Sequence, residues 1–451
     1  MSKQKIQLSD HFDYSRLLRF VLPCIGTMLF TSIYGIVDGL CVSNFVGKTA
    51  FAAVNLIMPV PMLVGSVGFM LGTGGSAIVG ITLGEGDREK ADRYFSLFVW
   101  TGLILGIVLS AVGVLSVRPA AALLGAEGEM LDYAVRYGRL LMICLPFFIL
   151  QNMFQSFFVT AERPHLGFAF TVAAGVTNMV LDVVLVGMLH GGVEGAAIAT
   201  FISQAVGGVL PVFYFLNKRS TSSIHLGRAQ WNGGVIRSAC INGSSELMTN
   251  LSMSLVNILY NYQLLRFAGE NGVAAYGVIM YAAFLFVAVF VGYAVGSAPI
   301  VSYHYGARNH AELNNLYSKS LRLIGVIAVV MTALSMLVIP YVARIFVGYD
   351  AELLALTSHA FRVYALNFFL MGFNVYGSSF FTALGDGVTS ALISFLRTLL
   401  FQLLALILLP LVLGIEGVWL AVTAAEAGAL CVTALMFITK DKVFHYRKAS
   451  C

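Results

Sequence analysis

The segment GSAIVGITLGEGDREKADRYFS at residues 75–96 occurs a second time, in diverged form, as GSAPIVSYHYGARNHAELNNLYS at residues 296–318. The two segments align along their whole length when Pro299 is treated as an insertion. Two further pairs of segments repeat at the same spacing along the chain: 192–199 with 414–421, and 47–58 with 269–280. Because three matches share one spacing, near half of the 451-residue chain, the sequence predicts two related halves.

The composition is that of a membrane protein. Hydrophobic residues make up 59% of the chain and charged residues only 11%, whereas a soluble domain carries about 25% charged residues. Apolar runs long enough to cross about 30 Å of hydrocarbon as a helix recur along the whole length. Short alternating segments typical of a transmembrane barrel are not found. We therefore expect an all-α integral membrane protein with the lipid bilayer as its surroundings, and no nucleic-acid partner.

Turn residues divide the apolar runs into twelve predicted transmembrane helices, six in each half. The first six are 15–44, 50–82, 94–117, 131–158, 164–188 and 193–217. The second six are 234–268, 273–305, 317–337, 354–383, 388–412 and 417–440. An even number of helices per repeat gives both halves the same orientation, so a pseudo-two-fold axis along the membrane normal should relate two six-helix bundles. We expect an N-terminal lobe at 1–225 and a C-terminal lobe at 226–451, with a cavity between them.

The distribution of the basic residues predicts how the protein is oriented in the membrane. With twelve spans both chain ends lie on one side, and 19 of the 27 Lys and Arg residues lie on or near that side, against seven on the other. Cytoplasmic loops carry the excess of positive charge, so both termini are expected in the cytoplasm. The sequence thus predicts a multi-pass protein of the cell (cytoplasmic) membrane.

Several of these features together resemble the multidrug and toxic compound extrusion (MATE) family. They are the repeated "GSA" element at the second and eighth helices, "IVDG" ending at Gly39, and "GVEGAA" at 192–197, combined with the six-plus-six repeat. The resemblance implies a V-shaped secondary antiporter that exports small hydrophobic or cationic drugs in exchange for Na⁺ or H⁺, without a cofactor. We expect it to act as a monomer.

Ionisable residues are rare within membrane spans and are usually functional. Asp38 and Asp182 each lie about six residues inside the outer end of a helix, roughly 9 Å deep at 1.5 Å per residue. Asn178 is one turn from Asp182 on the same face, and Thr200 and Tyr137 lie at a similar depth in the sixth and fourth helices. Asn152 matches a polar position of the family but lies deeper.

These residues predict a coupling-ion site. Two carboxylates, an amide and hydroxyls are hard oxygen ligands suited to Na⁺, so a metal ion is possible at Asp38, Asn178, Asp182 and Thr200. The same carboxylate pair could instead share a proton, so the sequence allows either Na⁺ or H⁺ as the coupling ion. A structural alternative is that Asp38 and Asp182 only hydrogen-bond neighbouring helices. In the second half, the equivalent positions are Tyr260, Leu400, Leu404 and Val422, so ion binding should be confined to the first half.

The second half has buried charges of its own. Glu246 is a candidate for the functional acid that the family often has in its seventh helix. Arg397 lies at a similar depth, so the two could instead form a structural ion pair, and Glu426 is a further candidate.

Other functions are disfavoured by the sequence. A lipid-linked oligosaccharide flippase of the same wider superfamily would need about fourteen helices and a strongly cationic cavity. An enzyme would need a nucleophile–base pair or a cluster of histidines, and the eight histidines lie mostly at loops or ends. A channel would not explain a two-fold repeat with asymmetric acids.

Overall fold

The computed structural model describes residues 6–46 and 48–447 of the chain, apart from the side chains of 40–45 and 48. Every regular element in this part of the chain is helical. The outermost residues of both termini, whose cytoplasmic location is predicted above, lie outside the described residues, as does Gly47 at the expected first turn.

Twelve membrane spans account for the described helices, as the sequence predicts, apart from the short helix Asp441–Phe444 that follows the last span. Those of the first half are Tyr14–Phe45; Lys48–Ile57 with Pro59–Gly84; Arg88–Leu123; Gly128–Ile143 with Leu145–Thr160; Pro164–Leu181 with Asp182–Met188; and Gly192–Leu216. Those of the second half are Gly233–Asn242 with the first part of Ser244–Gly306; the remainder of Ser244–Gly306; His310–Val347; Ala351–Ala365 with Phe368–Ala383; Gly387–Phe395, Leu396–Leu400 and Phe401–Leu413; and Ile415–Thr439.

Three of the breaks in these helices change the direction of the chain. Gly269, with φ 60° and ψ −149°, ends one span and starts the next within the helix Ser244–Gly306. Only glycine adopts such a backbone conformation readily. The fourth and tenth spans are bent, by 54° at Cys144 and by 46° near Leu366. Cys144 and Leu366 are equivalent positions of the two halves, so the repeat extends to the shape of the helices.

The two halves cross in a pseudo-symmetric manner at glycine residues. A Cβ atom on Gly84 would lie 2.0 Å from the carbonyl oxygen of Tyr303, and a Cβ atom on Gly306 would lie 2.0 Å from that of Ile81. Gly84 is equivalent to Gly306 in the repeat, and Ile81 is equivalent to Tyr303. Reciprocal contacts of this kind characterise a two-fold interface, so the crossing supports the predicted axis independently of the sequence alignment.

We expect Gly84→Ala to destabilise the protein, because the second and eighth spans meet there backbone to backbone. Overpacking of this kind costs about 1–3 kcal/mol of unfolding free energy. The control is Gly277→Ala, since a Cβ atom at Gly277 meets nothing within 4 Å. The thermal unfolding midpoint in detergent should fall for Gly84→Ala only, and equal midpoints for the two variants would contradict the tight crossing.

Buried apolar side chains form three clusters. The first is built from residues 50–239 and the second from residues 256–422, so each half has its own core. The third joins the halves, and its members come from residues 8–25, 293–324 and 437–446 among others. The first and last described segments of the chain therefore pack at one end of the molecule, where the halves are in contact. The segment 217–232 between the halves is not helical, and the lobe boundary at 225 and 226 stays a prediction.

The N-terminal segment fastens the two halves together at this end. The backbone N–H of Leu8 donates to Glu162 of the first half at 2.8 Å. The N–H of Phe12 donates to Glu312 of the second half at 2.9 Å, and Lys319 donates to the carbonyl of Phe12 at 2.8 Å. Leu8 and Phe12 are fully buried. The contacts hold the halves closed at the end that carries the termini.

Candidate functional site

The two acids predicted for the first half lie on spans that pack against each other. Asp38 lies in the first span, and Asp182 begins the π-helical turn Asp182–Met188 of the fifth span. Asn178 lies one turn before Asp182, and its backbone carbonyl accepts the N–H of Asp182. Turns of π-helix inside α-helices occur frequently at functional sites. The sequence indicates the residues here, but not the change of helix type.

The structure brings four of the predicted side chains together directly. The carboxyl groups of Asp38 and Asp182 are within hydrogen-bonding reach of each other. The hydroxyl of Tyr137 lies beside that of Thr200 and within electrostatic range of both carboxyl groups. Two ionised carboxylates can only accept hydrogen bonds, so their contact becomes a hydrogen bond when one of them holds a proton.

Burial sets this cluster apart from an ordinary polar contact between helices. Asp182 and Tyr137 are 0% exposed and Asn178 is 2% exposed. Five oxygens are buried without a hydrogen-bond partner in the described part of the chain: Oδ1 of Asp38, Oδ1 and Oδ2 of Asp182, Oδ1 of Asn178 and Oη of Tyr137. More than nine in ten buried polar groups in proteins are satisfied, because each unpaired one costs about 1–3 kcal/mol. Five oxygens around one carboxylate pair therefore fit a site for a cation or a proton.

The type of ligand restricts which cations fit. Within residues 6–46 and 48–447, no group of three or more His, Cys, Asp or Glu side chains could hold a metal ion. The cluster offers oxygen ligands only, from two carboxylates, one amide and two hydroxyls. Oxygen ligands of this kind suit hard cations rather than soft transition metals.

Other polar residues extend the cluster along the helices. Thr200 donates to the carbonyl of Ala196 at 3.1 Å, and one turn further along this helix Gln204 accepts from the Sγ of Cys144 at 2.9 Å. Tyr34, one turn before Asp38, is within electrostatic range of its carboxyl group. Tyr34 and Gln204 were missed by the sequence analysis, although their i,i+4 spacing from Asp38 and Thr200 could have indicated them.

Asn152 is not joined to the cluster by any hydrogen bond among the described residues. It is 4% exposed, and its side-chain nitrogen is buried without a partner. Its backbone carbonyl packs near Gly72 of the second span.

The equivalent positions in the second half have a different character. Tyr260 and Val422 are buried, whereas Leu400 and Leu404 are 38% and 44% exposed. These positions carry no carboxylate, so the oxygen cluster of the first half has no counterpart at them.

The ion pair between Glu246 and Arg397, which the sequence allowed as an alternative to a functional acid, is not formed in the structure. Arg397 pairs with Glu426 instead, with its Nε 2.7 Å from the Oε1 of Glu426. Similar depth in the membrane permitted the Glu246 pairing, but the rotation of the eleventh span turns Nε of Arg397 towards the twelfth span. Glu246 remains within electrostatic range of Arg397 without forming an ion pair.

A cavity of about 260 Å³ lies between the halves. Most of its lining comes from the second half, with a smaller contribution from Thr73, Ser76, Ala77 and Ser156 of the first. Glu246 and Arg397 line it together with aromatic and methionine side chains.

Known proteins resemble this chain over nearly its full length. The family model MatE matches residues 23–184 and, a second time, residues 247–407. Multidrug export protein MepA of Staphylococcus saprophyticus is 22% identical over 434 residues, which is 95% of this chain and 95% of that protein. The protein of the same name from Staphylococcus aureus is 22% identical over 431 residues, again with 95% of each chain covered.

Solved structures share the fold. A MATE structure in complex with MaL6 superimposes with a TM-score of 0.92 at 24% identity and covers 98% of this chain and 100% of its own. A MOP superfamily transporter from Pyrococcus furiosus, whose binding pocket has a reverse polarity, superimposes with a TM-score of 0.89 at 25% identity and covers 98% of this chain and 99% of its own. Because the family model matches both halves and most of the length, this chain belongs to the MatE family and is a membrane transporter, not an enzyme.

Proposed function

We propose that this chain exports amphipathic or cationic drugs from the cell in exchange for Na⁺ or H⁺. The observation that carries the proposal is the set of five buried, unpartnered oxygens around Asp38 and Asp182. The staphylococcal relatives are named multidrug export proteins, which supports drugs as the cargo.

In this proposal the coupling ion binds at Asp38 and Asp182, with Asn178, Thr200 and Tyr137 as further ligands. Asn152 would act from a greater depth. Na⁺ would be held by the carboxylates, the amide and the hydroxyls, whereas H⁺ would be shared between the two carboxylates. The drug would occupy the cavity near Glu246, which is separate from the ion site.

The exchange needs two states that the ion and the drug stabilise unequally. In the state described here, the halves are closed at the end that carries both termini. We place that end in the cytoplasm of a cell membrane protein acting as a monomer, with lobes at 1–225 and 226–451. Ion binding at Asp38 and Asp182 would then favour drug release to the outside, and drug binding would favour ion release to the cytoplasm.

The flippase alternative has no support. The cavity described here is lined by a single arginine, Arg397, and that arginine is paired with Glu426. A phosphate head group would require several unpaired cationic groups. The curated relatives named above are export proteins.

Efflux of ethidium from cells that express the chain tests the proposal. We expect wild-type efflux to stop when one of the two gradients, Na⁺ or pH, is collapsed, and to continue when the other is. The gradient that matters identifies the coupling ion. Absence of efflux for several cationic dyes under every gradient would contradict drug export.

A further inference from the structure

The lining of the cavity between the halves contains one acid, Glu246, and one base, Arg397, among mostly apolar side chains. Tyr260 and Tyr276 stack with ring centroids 4.7 Å apart on its wall. Met280 lies near them in the same lining, which also contains Glu246 and Arg397. Aromatic faces and thioethers bind the apolar parts of many ligands. Discrimination between ligands of different charge therefore depends on Glu246 and Arg397.

Arg397 is held by a buried network outside the cavity. Its Nε donates to Oε1 of Glu426, which is 0% exposed. The other carboxylate oxygen of Glu426 accepts from Asn374 at 2.7 Å, and Asn374 in turn accepts from Thr433 at 2.9 Å. Arg397 is only 12% exposed. Its positive charge is therefore neutralised by a carboxylate that is itself fixed in place.

Glu246 has no such partner. Its carboxylate lines the cavity and makes no hydrogen bond or ion pair within the described part of the chain. With Arg397 and Glu426 cancelling each other, Glu246 is the one acid of the lining without an opposite charge, and in its ionised form it gives the cavity a net charge of −1. An apolar, aromatic space with one unpaired carboxylate matches an amphipathic monovalent cation.

We propose that Glu426 determines the charge preference of this transporter by neutralising Arg397, so that Glu246 is free to bind an amphipathic monovalent cation. This inference rests on the proposed function, since it concerns the cargo of the same transporter. Without the negative charge of Glu426, Arg397 has no acid paired with it, and its charge offsets that of Glu246 in the same lining. The cavity then has no net charge, and its preference for cations should be lost. Glu426 does not contact the cargo, so it is a positioning residue for charge and not a ligand.

The test compares two probes of nearly equal size and opposite charge, tetraphenylphosphonium and tetraphenylborate. Binding of each to the purified protein is measured by calorimetry in the same detergent, with protein-free detergent subtracted. For Glu426→Gln, we expect the affinity ratio of cation to anion to fall by at least about tenfold, because a nearby charge acts strongly in a site with little water.

A second variant separates charge from structure. In Arg397→Met/Glu426→Gln, both members of the pair are neutral and Glu246 is again the unpaired charge, so the wild-type preference should return. A merely structural role of Glu426 would instead lower the binding of both probes alike in Glu426→Gln, through loss of folded protein, and leave their affinity ratio unchanged. Glu416→Gln is the control, because Glu416 lies in the same span but pairs with His359 at 2.8 Å and is exposed.

Each outcome has a distinct meaning. An unchanged ratio in a folded Glu426→Gln variant overturns the inference and leaves drug export standing. If that variant does not fold, the double variant decides: a lost cation preference in it overturns the inference, and a retained one supports it. A wild-type protein that binds neither probe contradicts the proposed function itself.

Discussion

We expect export by Asp182→Asn, and likewise by Asp38→Asn, to lose its dependence on the ion gradient. Asparagine keeps the size of aspartate and one acceptor oxygen, but its amide carries no negative charge and takes up no proton at neutral pH. Because the two carboxyl groups adjoin each other, the loss of either leaves the other without the partner with which it shares an ion. We expect the acceleration of ethidium efflux by the gradient to fall by about 5–150-fold, the usual range of coupling between two sites.

Glu194→Gln is the matched control for these variants. Glu194 begins the same span as Thr200, but it is exposed and pairs with Arg136 at 3.6 Å. Its amide variant should keep wild-type coupling. Efflux that remains fully dependent on the gradient in both Asp38→Asn and Asp182→Asn would remove these residues from the mechanism and favour the structural alternative.

Arg397→Met should lower the unfolding free energy by about 3–5 kcal/mol, because it leaves the carboxylate of Glu426 buried and unpaired. Glu426 is 0% exposed, and its remaining partner, Asn374, carries no charge. The thermal unfolding midpoint in detergent measures the effect. Adding Glu426→Gln to this variant removes the buried charge and should recover most of the loss.

An exposed ion pair provides the comparison. Arg136 and Glu194 are 60% and 56% exposed, so water already solvates both charges. Arg136→Met should change the unfolding free energy by only about 0–1 kcal/mol. Equal destabilisation by Arg136→Met and Arg397→Met would show that the Arg397–Glu426 pair is not buried as described.

The sequence predicted the fold because the hydrocarbon core restricts which residues can span it. Each of the twelve predicted spans corresponds to one in the structure, and the spacing of the sequence repeat appears again in the glycine crossing. The positions at which the spans begin and end could be predicted less well than their number. The third span was expected at 94–117 and extends over Arg88–Leu123, because a helix can continue into the polar interface where hydropathy no longer marks it. The bends of the fourth and tenth spans depend on tertiary packing and left no clear signal.

The candidate site could be predicted in part for the same physical reason. Charged residues inside a span are few, and counting from the helix ends gives their depth, which placed Asp38 and Asp182 at one level. Depth does not give the rotation of a helix about its axis. Similar depth therefore allowed a pair between Arg397 and Glu246, whereas the structure pairs Arg397 with Glu426 of the adjacent span. The π-helical turn at Asp182 also could not be predicted. It changes the direction in which the following side chains of the helix point, but no residue type in the sequence marks it.

Simultaneous measurement of drug and ion movement in proteoliposomes shows whether Asp38 and Asp182 couple drug export to ion entry. The purified wild type and the Asp38→Asn/Asp182→Asn variant are reconstituted, and an outward ethidium gradient is imposed without any ion gradient. The account predicts that ethidium leaving through the wild type drives Na⁺ or H⁺ in the opposite direction, and that the variant shows no such counterflow. Ion counterflow of equal size in the variant would contradict the assignment of coupling to Asp38 and Asp182.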